Sequence, residues 1–161
     1  MKVVGLDLGG TKIAAGVFDG KRLLSKVVVP TPKEGGERVA EALAEAAERA
    51  EREAGVRGEA IGLGTPGPLD FRRGVIRFAP NIPGVQDFPI RRILEEATGR
   101  PVFLENDANA AALAEHHLGA AQGEESSLYL TVSTGIGGGV VLGGRVLRGE
   151  RGQGGELGHL A

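Results

Sequence analysis

The 161-residue chain contains no cysteine, which excludes a disulfide framework and any zinc site built on thiolates. It has no apolar run long enough to span a bilayer, and no basic-then-apolar leader precedes the strand-like residues that begin at Lys2. Neither sign of charge dominates: 19 Lys and Arg stand against 21 Asp and Glu, so the electrostatic footprint of a polyanion binder is missing. These absences lead to the expectation of a soluble, cytoplasmic protein with no nucleic-acid or membrane partner. Lysine is scarce, five residues against fourteen arginines, and the only asparagines are Asn81, Asn106 and Asn109. With an Ala- and Glu-rich background, this bias hints at a thermophilic source. What is abundant is glycine, 28 residues, in a chain long enough for one domain or for one domain and the beginning of another.

The pattern along the chain is that of an α/β protein. Lys2 to Leu8 and Ile13 to Phe18 are apolar runs, and Asp19-Gly20 makes a hairpin turn into Leu23 to Val29, predicting three antiparallel strands. From Gly36 to Glu53, Val39, Leu43, Ala46, Ala47 and Ala50 fall on one helical face and Gly55 supplies a stop, predicting a helix packed on the sheet. A buried strand from Ala60 to Gly64 runs into the turn Thr65-Pro66-Gly67-Pro68. A Pro-rich stretch from Pro80 to Pro89 leads to a short helix ending near Gly99, and Val102 to Leu104 forms a further strand. Asp107 reads as the N-cap of an Ala-rich helix from Asn109 to Ala121, on which the adjacent His116 and His117 read as surface residues. Glu105-Asn106-Asp107 therefore sits at a strand's C-terminal end, where open α/β sheets place their ligands.

After a link over Gln122 to Ser126 the chain starts again as strand, glycine loop, strand, turn, strand. A constant shift lays Val17, Gly20, Lys21 and Leu23 on Val141, Gly144, Arg145 and Leu147, so the opening hairpin is repeated. The expected organisation is a first domain over residues 1–121 and the start of a second, truncated one over residues 122–161, whose strands have no helices to cover them.

Five segments carry polar chemistry. In Asp7-Leu8-Gly9-Gly10-Thr11-Lys12 two glycines at a strand end let backbone amides approach phosphate oxygens, while Asp7 can hold Mg²⁺ or its water; a plain hairpin turn satisfies the same residues. A P-loop reading fails because Thr-Lys replaces Lys-Thr and no helix follows. Gly62-Leu63-Gly64-Thr65-Pro66-Gly67 matches the dinucleotide fingerprint by letter, but Pro66 and Pro68 direct the chain into a turn and not a helix, leaving the wall of a small-molecule cleft as its role. In Glu105-Asn106-Asp107-Ala108-Asn109, Asp107 is a helix cap or the carboxylate that receives a hydroxyl proton during phosphoryl transfer, with Asn106 placed to fix the acceptor. Ser133-Thr134-Gly135-Ile136-Gly137-Gly138-Gly139 is a second glycine loop suited to an oligophosphate. In Gly154-Gly155-Glu156-Leu157-Gly158-His159, Glu156 and His159 share one face if helical and offer an acceptor and a donor to vicinal sugar hydroxyls.

The order and wording of these motifs resemble the ROK family of bacterial sugar kinases and repressors over the whole chain. The resemblance implies an actin-like ATPase (ribonuclease H-like) fold and ATP-dependent phosphorylation of a hexose, with glucose at its 6-hydroxyl as the leading expectation. It implies Asp107 as catalytic base, with Asn81, Asn106, Glu156 and His159 as sugar ligands. It further implies Mg-ATP held by Asp7, Gly9, Gly10, Thr11, Lys12, Thr134, Gly135 and Gly137, and a homodimer. His159 resembles the family's first zinc ligand, but the cysteines that complete that site are absent from this chain. Two other readings stay open: a sugar-responsive regulator, which in this family carries a helix-turn-helix ahead of the motif that here begins at Asp7, and a non-catalytic sugar-binding fragment.

Overall fold

The computed structural model describes residues 1–132, 136–149 and 154–155 of the chain. These fall into two compact units, Met1–Glu105 and Asn106–Ala161.

In the first unit the three opening strands form as the apolar runs predict: β1 (Lys2–Leu8), β2 (Lys12–Asp19) and β3 (Arg22–Pro30), an antiparallel meander. Side chains alternate across it, so Val4, Leu6 and Leu8 line up with Val17, Ala15 and Ile13 on one buried face. Helix α1 (Gly36–Ala54) lays Val39, Leu43, Ala46, Ala47 and Ala50 on that face, and the Ser25 hydroxyl of β3 donates to the Ala50 carbonyl at 2.6 Å. Gly55, at φ 68°, closes the helix in the left-handed conformation that a side chain resists. Strand β4 (Ala60–Thr65) then returns parallel to β1, as the crossover through a helix requires.

The sequence reading gave a turn over Thr65 to Pro68 and a Pro-rich stretch from Pro80 to Pro89, and foresaw no strands over residues 69–88. They hold a small antiparallel sheet of β5 (Leu69–Asp70), β6 (Val75–Phe78) and β7 (Gln86–Phe88). Strands of two to four residues are too short to register as an alternating pattern. Helix α2 (Ile90–Thr98) ends at Gly99 as expected, and β8 (Val102–Asn106) completes a five-stranded sheet in the order β3-β2-β1-β4-β8.

A buried ion pair locks the end of this sheet remote from the loops. Arg100, 8 % exposed, donates to both carboxylate oxygens of Glu51 in α1 and, at 3.0 Å, to the Gly58 carbonyl ahead of β4. The Gly58 amide in turn donates to Glu51 Oε1 at 2.6 Å. A desolvated pair of this kind is held by these hydrogen bonds and not by charge alone, although Arg100 Nε is buried without a partner.

The second unit opens with α3 (Asp107–Leu118), followed by β9 (Ser126–Val132), β10 (Ile136–Leu142) and β11 (Arg145–Val146) in the order β11-β10-β9. This meander, with its Gly143-Gly144 turn, repeats the pairing of β1 to β3, as the internal repeat predicts. One face of it has a cover that the sequence reading did not foresee, because α3 packs on β9 and β10. The compact division accordingly falls before Asn106, whereas the sequence reading placed α3 with the first domain. His116 also departs from expectation: it is buried on the covered side, with Nδ1 2.9 Å from the Ser127 hydroxyl of β9.

Candidate functional site

In the first unit the loop Gly9-Gly10-Thr11 is the turn of the β1–β2 hairpin. Leu8 pairs with Ile13, and the Gly9 amide donates to the Lys12 carbonyl at 3.0 Å. The residue after β3 grips this turn. The Thr31 hydroxyl donates to the Gly9 carbonyl at 2.7 Å, the Thr31 amide donates to the Thr11 carbonyl at 2.9 Å, and the Lys33 ammonium donates to the Gly10 carbonyl.

Asp7 stands one step before the turn, exposed, on the sheet face opposite α1. Its register neighbours are Ala14 on β2 and Gly64 on β4, with Gly5 and Gly62 one step further back. A Cβ added at Gly62 would meet nothing within 4 Å, so open space lies over that glycine, whereas a Cβ on Gly5 would lie 3.2 Å from the Phe18 ring. Small neighbours around an accessible carboxylate leave room for a hydrated Mg²⁺ ion, which takes one or two carboxylates and keeps several waters. Gly67 explains the rest of that motif: at φ 82°, a Cβ there would lie 1.9 Å from the Phe78 carbonyl oxygen, so the turn requires glycine to approach β6.

Asn81 is brought to the same loop. A Cβ on Gly10 would lie 2.9 Å from the Asn81 Cβ, so the expected phosphate loop and the expected sugar-side asparagine are direct neighbours.

In the second unit the helix start is built differently from the sequence expectation. The N-cap of α3 is Asn106, in extended conformation, whose Oδ1 accepts from the amides of Ala108 at 3.1 Å and Asn109 at 3.3 Å. Asn and Asp are about equally good caps, and here the strand places Asn106 at the cap position and Asp107 inside the first turn. The Asp107 side chain reaches solvent, yet enough protein surrounds its carboxylate that desolvation lifts its pKa above the usual carboxylate range. The Ala108 amide, which donates to Asp107 Oδ1 at 2.8 Å, pulls the other way and is outweighed.

Gly137, expected as a phosphate contact, has a packing role: a Cβ there would lie 2.9 Å from Thr131 Cγ2 and 3.7 Å from the Ala108 Cβ. Gly139 is tighter still, 2.6 Å from the Ala112 Cβ and 2.8 Å from the Ala108 carbonyl oxygen. Thr134, Gly135, Glu156 and His159 lie outside the described residues. Among the described residues no three His, Cys, Asp or Glu side chains cluster to hold a metal, so nothing there fits the zinc expected from the resemblance. No described helix is long and apolar enough to cross a membrane.

Sequence reasoning missed Thr31 and Lys33, and took Gly139 for part of the second glycine loop where the structure has it in β10 against α3. For Thr31 no local signal existed: the register carried from the Asp19-Gly20 turn would set Pro30 opposite Thr11, and only the irregularity between Val17 and Phe18 moves it by one residue, so that Lys12 pairs with Pro30 and residue 31 follows opposite Thr11.

The ROK family pattern matches residues 3–161. A glucokinase of Thermotoga maritima is 42% identical over 99% of this chain and 50% of its own length, so the chain spans about half the length of the curated relatives it matches. Among solved structures, a ROK hexokinase from Thermus thermophilus is 98% identical with a TM-score of 0.94, covering 100% of this chain and 53% of that one. A ROK family glucokinase from Streptomyces griseus, solved in complex with glucose and AMPPNP, is 41% identical with a TM-score of 0.91, covering 99% of this chain and 50% of that one. The fold class is therefore the actin-like ATPase fold.

Proposed function

From its place in the ROK family, to which the chain belongs, and from the site described above, we propose that it forms the base-bearing part of an ATP-dependent hexose kinase, with glucose as substrate and glucose 6-phosphate as product. The observation that carries this reading is that Asn106 holds the N-cap position while Asp107, which shares the Ala108 amide through Oδ1, keeps an accessible carboxylate. An aspartate at a helix start is ordinarily explained as a cap, but Asn106 takes that role with two amides. What remains is an accessible carboxylate whose pKa desolvation has raised, the property of a general base.

In the proposed reaction Asp107 accepts the proton of the sugar 6-hydroxyl while that oxygen bonds to the γ-phosphorus of ATP. The bond from the γ-phosphorus to the bridging oxygen breaks, and ADP leaves with the electron pair. Asn81 and Asn106 orient the sugar, joined by Glu156 and His159. Gly9, Gly10, Thr11 and Lys12 hold phosphate oxygens, with Thr134, Gly135 and Gly137 assigned the same role from the second glycine loop. Asp7 would hold Mg²⁺, which neutralises charge on the phosphates when bound. The protein's contribution is thus position and electrostatics, since phosphoryl transfer asks little covalent chemistry of it.

The test is a coupled ADP-release assay with glucose, mannose, fructose and N-acetylglucosamine, run beside calorimetric glucose binding. Asp107→Asn should abolish turnover and leave glucose binding measurable. Near-normal turnover in that variant would remove Asp107 as the base.

A further inference from the structure

The turn at Gly9 to Thr11 has a feature that a hairpin does not require. A two-strand turn can leave its outer carbonyls to water, yet here the carbonyls of Gly9, Gly10 and Thr11 all have protein donors, and all come from the segment that follows β3. Thr31 supplies two of them, through its hydroxyl at 2.7 Å to Gly9 and its amide at 2.9 Å to Thr11. It is 4 % exposed, so its hydroxyl has a fixed partner and no competing water. The Lys33 ammonium takes the third carbonyl.

A peptide carbonyl that is turned toward one side commits the amide of the same peptide plane to the other. Holding the carbonyls of Gly9 and Gly10 toward Thr31 and Lys33 therefore directs the amides of Gly10 and Thr11 away from them. It also keeps carbonyl lone pairs, which repel phosphoryl oxygens, from facing an anion. Successive amides turned to one side of a turn in this way can meet an anion together. Resting on the phosphate-loop reading above, we propose that Thr31 is a positioning residue for phosphate binding: it grips the loop through the Gly9 and Thr11 carbonyls, with Lys33 on Gly10, so that the loop meets phosphoryl oxygens with amides. Thr31 itself touches no substrate in this scheme.

The experiment is ¹⁵N NMR on the full chain, following the Gly9 to Lys12 amides without ligand and during titration with Mg²⁺-tripolyphosphate. In the wild type these amides should shift on titration. Thr31→Val, which removes the hydroxyl and keeps the shape, should move the ligand-free Gly10 amide, which follows the gripped Gly9 carbonyl, and weaken binding by about tenfold, the scale of one lost buried hydrogen bond. Thr31→Ser should restore both readouts. Unchanged loop shifts and unchanged affinity in Thr31→Val, in a wild type that binds, overturn the proposal and leave the phosphate loop standing. Equal weakening in Thr31→Ser also overturns it, because the methyl and not the hydroxyl would then matter. Wild-type loop amides that ignore tripolyphosphate overturn the phosphate-loop reading and this proposal with it. If Thr31→Val does not fold, the surface variant Lys33→Met takes its place, read by the ligand-free Thr11 amide that follows the Gly10 carbonyl; an unmoved amide overturns the proposal.

Discussion

Gly139 of β10 and Ala112 of α3 meet with no space for another carbon: a Cβ on Gly139 would lie 2.6 Å from the Ala112 Cβ. The same atom would lie 2.8 Å from the Ala108 carbonyl oxygen and 3.1 Å from the Asn109 Cα. These contacts fall on the first two turns of the helix that carries Asp107, so they set the distance of that helix start from the sheet.

Gly139→Ala should therefore destabilise the second unit by about 1–3 kcal/mol, the usual cost of overpacking, because backbone and not a flexible side-chain end has to move. Urea denaturation measures this. Ala112→Gly in the same chain should recover part of the loss by removing the Cβ-to-Cβ clash, whereas the same change alone should cost about 1 kcal/mol of helix propensity. Strict additivity of the two changes would show that these residues do not press on each other.

Asn106→Ala should cost about 0.5–2 kcal/mol through the loss of the cap over Ala108 and Asn109, while Asn106→Asp should keep most of that stability. If Asn106 also orients the sugar, the two variants should part company in a glucose titration. Aspartate offers acceptors only, so it should keep the helix and lose affinity.

Asp107 carries a sign that can be checked. Its pKa is raised in the folded chain, so between the unfolded and folded values the native state binds more protons than the unfolded one. Stability contributed by this group consequently falls as pH rises from the ordinary carboxylate value through the raised one. Asp107→Asn should remove that dependence and raise the melting temperature at neutral pH relative to the wild type. Turnover, which needs the carboxylate ionised, should fall as pH drops through the raised pKa. A melting temperature lowered at neutral pH by Asp107→Asn would contradict the desolvation account.

Arg100→Met should cost about 3–5 kcal/mol, because Glu51 would be left nearly buried without its cation. Adding Glu51→Leu should recover a large part of this, leaving the Gly58 amide without its acceptor and the Gly58 carbonyl without its Arg100 donor. Chemical denaturation of both variants decides the matter, and a double variant as unstable as the single one would mean that Arg100 acts through packing of its stem alone.

Much of the fold is legible in the order of residues because its signals are local. The Asp19-Gly20 turn, the spacing of Val39, Leu43 and Ala46, and the stops at Gly55 and Gly99 each act within a few residues of themselves. Misreadings begin where the deciding partner is distant or the element is short. The strands from Leu69 to Phe88 are too brief to show an alternating pattern, and His116 looks like a surface residue until Ser127 is folded against it.

The candidate site divides along the same line. The residues themselves determined that Asp7, the Gly9-Gly10 turn and Asn106-Asp107 stand at strand ends, since hydrophobic runs and glycines place those ends without help from the rest of the chain. Only the tertiary structure decided which neighbour holds the helix cap, that Thr31 grips the loop from the end of β3, and that Gly10 and Asn81 touch. A hydrogen bond needs its partners within about 3 Å of each other, and sequence spacing alone does not state that separation once the chain has turned back on itself.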